Sequence, residues 1–232
     1  MSNDTKATKS RAASATERGS VTRDRLLDAL EAIAADEGLA ALSHRAIAKR
    51  ARLHTGLIHY HFGTVDRLLE EALARRAKRL SGSQLAALSA LFARERWSVE
   101  DVVSALWQPF SLIGSESDGG WRNYLCLVAR LAADLNGERL LALHYEDVAI
   151  AAQRALRAAL PNASDAAIAS GLRYIRTLFD QESRARCGKR VAPEYHALND
   201  AELTRFAAAG LRGLVGNSAA PQPSSRRGVA AA

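Results

Sequence analysis

Apolar residues recur at three- and four-residue steps along most of this chain, the spacing that lines one face of an α-helix. Leu26, Leu30 and Ile33 open the pattern, with Leu27 and Ala34 alongside. Ala46, Ile47 and Ala51 continue it, then Leu68, Leu69, Ala72, Leu73 and Leu80. Leu141, Tyr145, Val148, Ala152, Leu156 and Leu160 form a later stripe, and Ile168, Leu172, Ile175 and Phe179 another. Runs of Val, Ile and Thr are few, whereas Ala, Leu, Arg and Glu abound, a balance that favours helix over strand. The chain is therefore predicted to be all-α.

Caps and breakers divide the pattern. Gly38 suits the C-terminal end of the first helix. Ser43 suits the N-cap of a short second one, about 43 to 51. A third short helix is predicted from Thr55 to Phe62, stopped by Gly63. Thr64 caps a fourth, with Asp66 in its first turn facing the positive helix end. That helix is predicted to break near Ser81 and Gly82. Further helices are placed near 84–94, 98–113, 119–135, 138–160, 164–187 and 200–214, with Pro161 ending one and Ser164 capping the next. Residues 1–20 are polar and expected to be a disordered arm. Residues 216–232, rich in Pro, Ser, Arg and Ala, are expected to be a disordered tail.

The formal net charge is +7, which invites an anionic partner. Its placement narrows the choice. Between Gly38 and Val65 there is no acidic residue, while Arg45, Lys49, Arg50 and Arg52 and four of the six histidines (His44, His54, His59, His61) fall there. Two short helices joined by a tight turn can lay the second in the major groove while amides and basic side chains hold phosphates. An interfacial membrane helix would need a broad apolar face beside a basic one, which this half lacks. The longest uncharged apolar stretch, Val102 to Ser115, is shorter than the roughly 20 residues that span a bilayer. No apolar leader stands at the start, and a cytoplasmic protein is expected.

The stretch LSHRAIAKRARLHTGLIHYHFGTVDRLLEEAL, Leu42 to Leu73, resembles the DNA-binding domain of the TetR family of transcriptional regulators. Leu53, Gly56, Ile58, Tyr60, His61, Phe62, Thr64, Leu68 and Leu69 fall where that pattern expects them. The resemblance, which covers about 22 to 80, implies a three-helix helix-turn-helix domain over 21–66. It also implies a larger helical ligand-binding and dimerisation domain over 67–215. It implies that Arg45 on the second helix and Thr55, Gly56 and Tyr60 on the third face bases and phosphates, with Thr64 counted among them. His59 stands where the family usually has a phosphate-contacting tyrosine; a neutral imidazole still donates one hydrogen bond. Val65 stands where many members place a phosphate-binding lysine. Arg52 replaces a turn glycine, and a left-handed conformation there would cost about 1–2 kcal/mol. The implied protein is no enzyme and needs no cofactor. It would repress as a homodimer on palindromic operator DNA until released by a small apolar, aromatic or acyl-CoA-type effector.

Periodicity leaves two readings of the later stripes open: an intramolecular core, or a seam between subunits. The resemblance favours a four-helix dimer interface from Tyr145, Val148, Ala152, Leu156, Ile168, Leu172, Ile175 and Phe179. Aromatic residues with polar tips gather in the middle of the chain, and Trp107, Phe110, Trp121, Tyr124 and His144 are the candidate effector contacts. Cys126 and Cys187 are expected to be free thiols. The alternative function is a helical metalloenzyme using the histidine cluster. Helical rise puts His54 and His61 about 10 Å apart along one face. Zinc needs nitrogens about 2.0–2.1 Å from a common centre, so no metal site is assigned.

Overall fold

A computed structural model describes residues 3–115, 119–187 and 199–216. Among these described residues nine α-helices follow in order: α1 (Asn3–Asp36), α2 (His44–Ala51), α3 (Gly56–His61), α4 (Val65–Phe92), α5 (Val99–Ser115), α6 (Gly119–Leu131), α7 (Leu135–Ala159), α8 (Asp165–Cys187) and α9 (Asp200–Gly216). A single 3-10 turn, Leu39–Ala41, lies between α1 and α2. The described residues contain no strand, and none of their helices is long and apolar enough to cross a membrane.

The apolar spacing accounts for the packing. Leu26, Leu30 and Ile33 of α1, Ile47 and Ala51 of α2, Ile58 of α3 and Leu68 of α4 are buried together as the small N-terminal core. Each large side chain so buried contributes about 1.5–3 kcal/mol over its exposed state. The larger core behind it comes from α4 packing on α5 and α7, α6 on α8, and α5 on α9. Caps fall where spacing predicts: Ser43 Oγ accepts from the Ala46 amide at 3.2 Å, Thr64 Oγ1 from Arg67 at 3.2 Å, and Ser164 Oγ from Ala167 at 3.2 Å. Gly137, at the start of α7, lets the chain cross α6 closely; a Cβ there would meet the Leu131 Cα at 2.8 Å.

Three expectations are corrected. First, α1 begins at Asn3, not near Thr22, so the polar arm is helix up to residue 20; it has four alanines and no proline to interrupt it. Second, α4 runs unbroken through Ser81 and Gly82. An internal glycine costs only about 1 kcal/mol, and Leu80, Gln84, Leu88 and Leu91 stay buried on one side across it, so packing outweighs propensity. Third, Cys126 is fully buried and disulfide-bonded, not a free thiol. The tail expected over 216–232 lies, from 217 onward, outside the described residues.

The candidate nucleic-acid interface

Helices α2 and α3 are held against α1 by two arginines. Arg25 donates to the Ala51 carbonyl at 2.6 Å, taking one of the orphan acceptors at the end of α2. Arg23 donates to the His61 carbonyl at 3.0 Å, lies over the Phe62 ring at 4.5 Å and pairs with Glu71 of α4. The turn between the helices is made by Arg52, at φ 54 and ψ 48, so the left-handed conformation is occupied by a non-glycine residue. The Leu53 amide then reaches back to Ala48 at 2.9 Å and closes the helix end.

On this frame Arg45, Thr55, Gly56, His59, Tyr60 and Thr64 are all exposed. Tyr60 is 81% exposed in the middle of α3. Arg50 is exposed but paired within the chain: its guanidinium meets Asp36 at 2.8 Å and Glu37 at 4.0 Å. The imidazoles of His44 and His59 are stacked, centroids 4.4 Å apart and planes 14° from parallel, joining α2 to α3. His59 Nδ1 lies 3.0 Å from the Gly63 carbonyl oxygen. A carbonyl only accepts, so Nδ1 carries a proton and donates it. The one hydrogen bond that a neutral His59 was expected to offer a phosphate is therefore already used. His54 Nδ1 accepts from the Gly56 amide at 3.3 Å. Among the described residues no group of three or more His, Cys, Asp or Glu side chains is placed to hold a metal ion.

The candidate effector residues divide into two groups. Trp107 and Phe110 are buried with Phe179, ring centroids 4.7 to 5.8 Å apart, and Trp107 Nε1 donates to Asp200 at 2.7 Å. Trp121 and Tyr124 are buried elsewhere: Arg76 and Arg79 lie over Trp121 at 5.0 and 5.1 Å, and Tyr124 and Tyr145 share a 2.7 Å hydroxyl hydrogen bond. Burial raises both phenols, Tyr145 to about 12, so both stay neutral. His144 is half-buried on α7; burial lowers its pKa, opposed by Glu70 of α4.

Of the eight stripe residues, Val148, Ala152, Leu156, Ile168, Ile175 and Phe179 are buried within the single chain, and Tyr145 and Leu172 are half-buried against the same core. They are part of the chain's own core, the other reading that their periodicity allowed. The outward faces of these helices carry Leu143, Ile150 and Tyr174, 76%, 58% and 55% exposed.

Sequence reasoning passed over Glu31, which is fully buried where α1 meets α4. Arg75 Nη2 donates to it at 2.8 Å and Arg76 Nε at 3.1 Å. Burial raises the Glu31 carboxyl and the two guanidiniums oppose the rise. Its position carried a signal: it follows Leu27 by four residues and precedes Ala34 by three, a charge on an otherwise apolar face. Arg130 of α6 was also missed; it donates to the Ala35 carbonyl at the end of α1 at 2.9 Å.

A helical protein with an exposed two-helix reading unit on a larger helical body is the build of a DNA-binding transcriptional regulator. Two family models match the chain: "Bacterial regulatory proteins, tetR family" over residues 26–72, and "Tetracyclin repressor-like, C-terminal domain" over 104–210. The chain belongs to the TetR family. Solved structures share the fold. GusR of Salmonella enterica matches with a TM-score of 0.57 at 16% identity over 84% of this chain and 95% of its own. The multidrug binding protein EbrR, complexed with imidazole, matches at 0.54 and 21% over 88% and 98%. A transcriptional regulator from Rhodococcus sp. Rha1 matches at 0.53 and 21% over 84% and 96%. No curated protein matches the chain closely enough to count.

Proposed function

We propose that this regulator is a homodimeric repressor that reads a palindromic operator through Arg45, Thr55, Gly56, His59, Tyr60 and Thr64. It lets go when a small apolar, aromatic or acyl-CoA-type effector enters its helical body. The observation that carries the reading is Tyr60, 81% exposed on α3, inside a stretch with no acidic residue. A solitary exposed ring has no special meaning; one on a short helix flanked by Arg45, Lys49 and Arg52 has the polar tip and the charge that backbone and base contacts need.

A palindrome requires two reading heads related by a two-fold axis, half-sites about 34–36 Å apart or a multiple of that. The outward faces of α7 and α8, with Leu143, Ile150 and Tyr174, are the surfaces we assign to subunit pairing. Effector release requires a route to the reading unit, and α1 supplies one. Its last turn is tied to α6 through Arg130, and the turn before it to α4 through Glu31, Arg75 and Arg76. An effector that favours a different packing of α4 and α6 moves the heads, and affinity for DNA falls only as far as it prefers that state.

The test is a gel shift with DNA from upstream of the protein's own gene, with salt varied. Several phosphate contacts predict a steep fall of affinity as salt rises. Tyr60→Ala is expected to weaken specific binding about ten-fold or more, within the 1–3 kcal/mol of a base contact, with helix content and dimer mass unchanged. Binding that ignores both salt and Tyr60 defeats the proposal.

A further inference from the structure

We infer that DNA binding by this protein takes up protons at the His44–His59 stack, so that affinity for the operator rises as pH falls. The inference rests on the operator reading above and concerns how that same site is regulated. It begins from the proton count. His59 is exposed on α3 and its Nδ1–H is committed to the Gly63 carbonyl at 3.0 Å. In the neutral ring Nε2 is then a bare acceptor. A phosphate oxygen is also an acceptor, so a neutral His59 meets it with two lone pairs and no proton between them. Adding a proton at Nε2 turns the ring into a second donor with a positive charge, the form that phosphate binds, and the Gly63 bond is kept.

The stack decides which of the two rings takes the proton. His44 Nε2 is buried and has no hydrogen-bond partner, so a proton there would have no acceptor in the protein. With centroids 4.4 Å apart, two imidazolium rings would also repel each other. His59 is the exposed member, and a neutral His44 behind it offers an aromatic face to the imidazolium. The ionisable groups next to the pair along the chain are Arg45 on α2, His54 before α3, Tyr60 and His61 on α3, and Asp66 and Arg67 in the first turn of α4, the last 3.9 Å from Glu70. From α1, Arg23 is engaged with the His61 carbonyl and Glu71. Among the described residues no carboxylate forms an ion pair with either ring, so the group best able to hold the imidazolium is the phosphate itself. By linkage, a group that is protonated more readily in the complex makes binding tighter at lower pH.

The experiment measures binding of the full-length protein to a labelled duplex that it has itself selected from a random-sequence pool, by anisotropy at constant ionic strength. Wild type is expected to bind about ten-fold tighter at about pH 6 than at about pH 8, the imidazole range. His59→Tyr, whose hydroxyl donates at either pH, is expected to lose most of that dependence and to bind at least as tightly as wild type at the higher pH. Calorimetry of the wild type in two buffers of different ionisation enthalpy, near pH 7.5, counts protons directly and does not depend on the variant folding. Net uptake on binding is the expected result. A flat pH profile with no uptake overturns the inference while leaving the operator reading intact, as does a full pH dependence retained in His59→Tyr. Failure to select or bind any duplex at either pH removes the operator reading, and this inference with it.

Discussion

Arg52 holds the turn between α2 and α3 in a conformation that glycine adopts without steric cost, and it also places an exposed cation beside α3. The two roles separate on substitution. Arg52→Gly removes the left-handed penalty of about 1–2 kcal/mol but returns part of it as backbone entropy. The net gain is expected to be about 0.5–1 kcal/mol, a rise in Tm of about 2–3 °C for a chain of this size, read by thermal unfolding. Operator affinity should fall in the same protein, with a salt dependence shallower by about one charge. Gain of stability with loss of binding would show that the arginine is kept for the DNA. The residues at this scale divide by legibility. Arg45, Thr55, Gly56 and Tyr60 could be named because the Leu42 to Leu73 stretch resembles the TetR pattern, and all four are exposed. Arg23 and Arg25 could not, because their partners are backbone carbonyls that only the folded α2 and α3 bring within reach.

At the scale of elements, the helix ends were readable and the helix faces were not always so. Ser43, Thr64 and Ser164 cap where a local amide must be satisfied, a requirement contained within one turn. The continuity of α4 through Gly82 was not local, since it depends on α5 and α7 burying Leu80, Gln84, Leu88 and Leu91 together. Charged groups caught between elements give two predictions. Arg76→Ala leaves Glu31 buried with less compensation, and the loss of stability is expected to approach about 3 kcal/mol, the range for breaking a buried pair, measured by denaturant unfolding. Asp180 of α8 behaves differently. Burial raises its carboxyl from 3.8 to about 6, opposed by Arg176 and Arg184 and assisted by Glu138. The folded state therefore holds that proton more tightly than the unfolded chain. The stability it contributes is complete below about pH 4 and is lost as pH climbs through about 6. Asp180→Asn keeps the shape without the charge, so its Tm relative to wild type should rise between about pH 4.5 and pH 7.5 and level off above. A difference that stays constant over that interval would contradict the buried-carboxyl account.

At the scale of the whole molecule, the proposed homodimer has to present two reading heads together. The inward faces of α7 and α8 are occupied by the chain's own core, and Leu143, Ile150 and Tyr174, exposed on their outward faces, are the apolar side chains we propose for subunit pairing. Replacing Leu143 and Ile150 together by Glu is expected to give a folded monomer by sedimentation, with unchanged helix content. Specific operator affinity should fall at least a hundred-fold, because two heads on one duplex no longer share one binding event. A dimer that survives both substitutions would place pairing elsewhere on the surface.

The amino-acid sequence by itself determined that this protein is helical, where most helices begin and end, and that an acid-free pair of short helices forms its N-terminal reading unit. Those properties depend on period, capping and charge, all set by neighbours within about a turn or two. Only the tertiary structure decided which side of α7 and α8 is core, that Glu31 lies between two arginines, and that His59 has spent its proton on Gly63. Each of these turns on what a side chain meets from a distant part of the chain or across a turn, and periodicity marks a face without naming its partner.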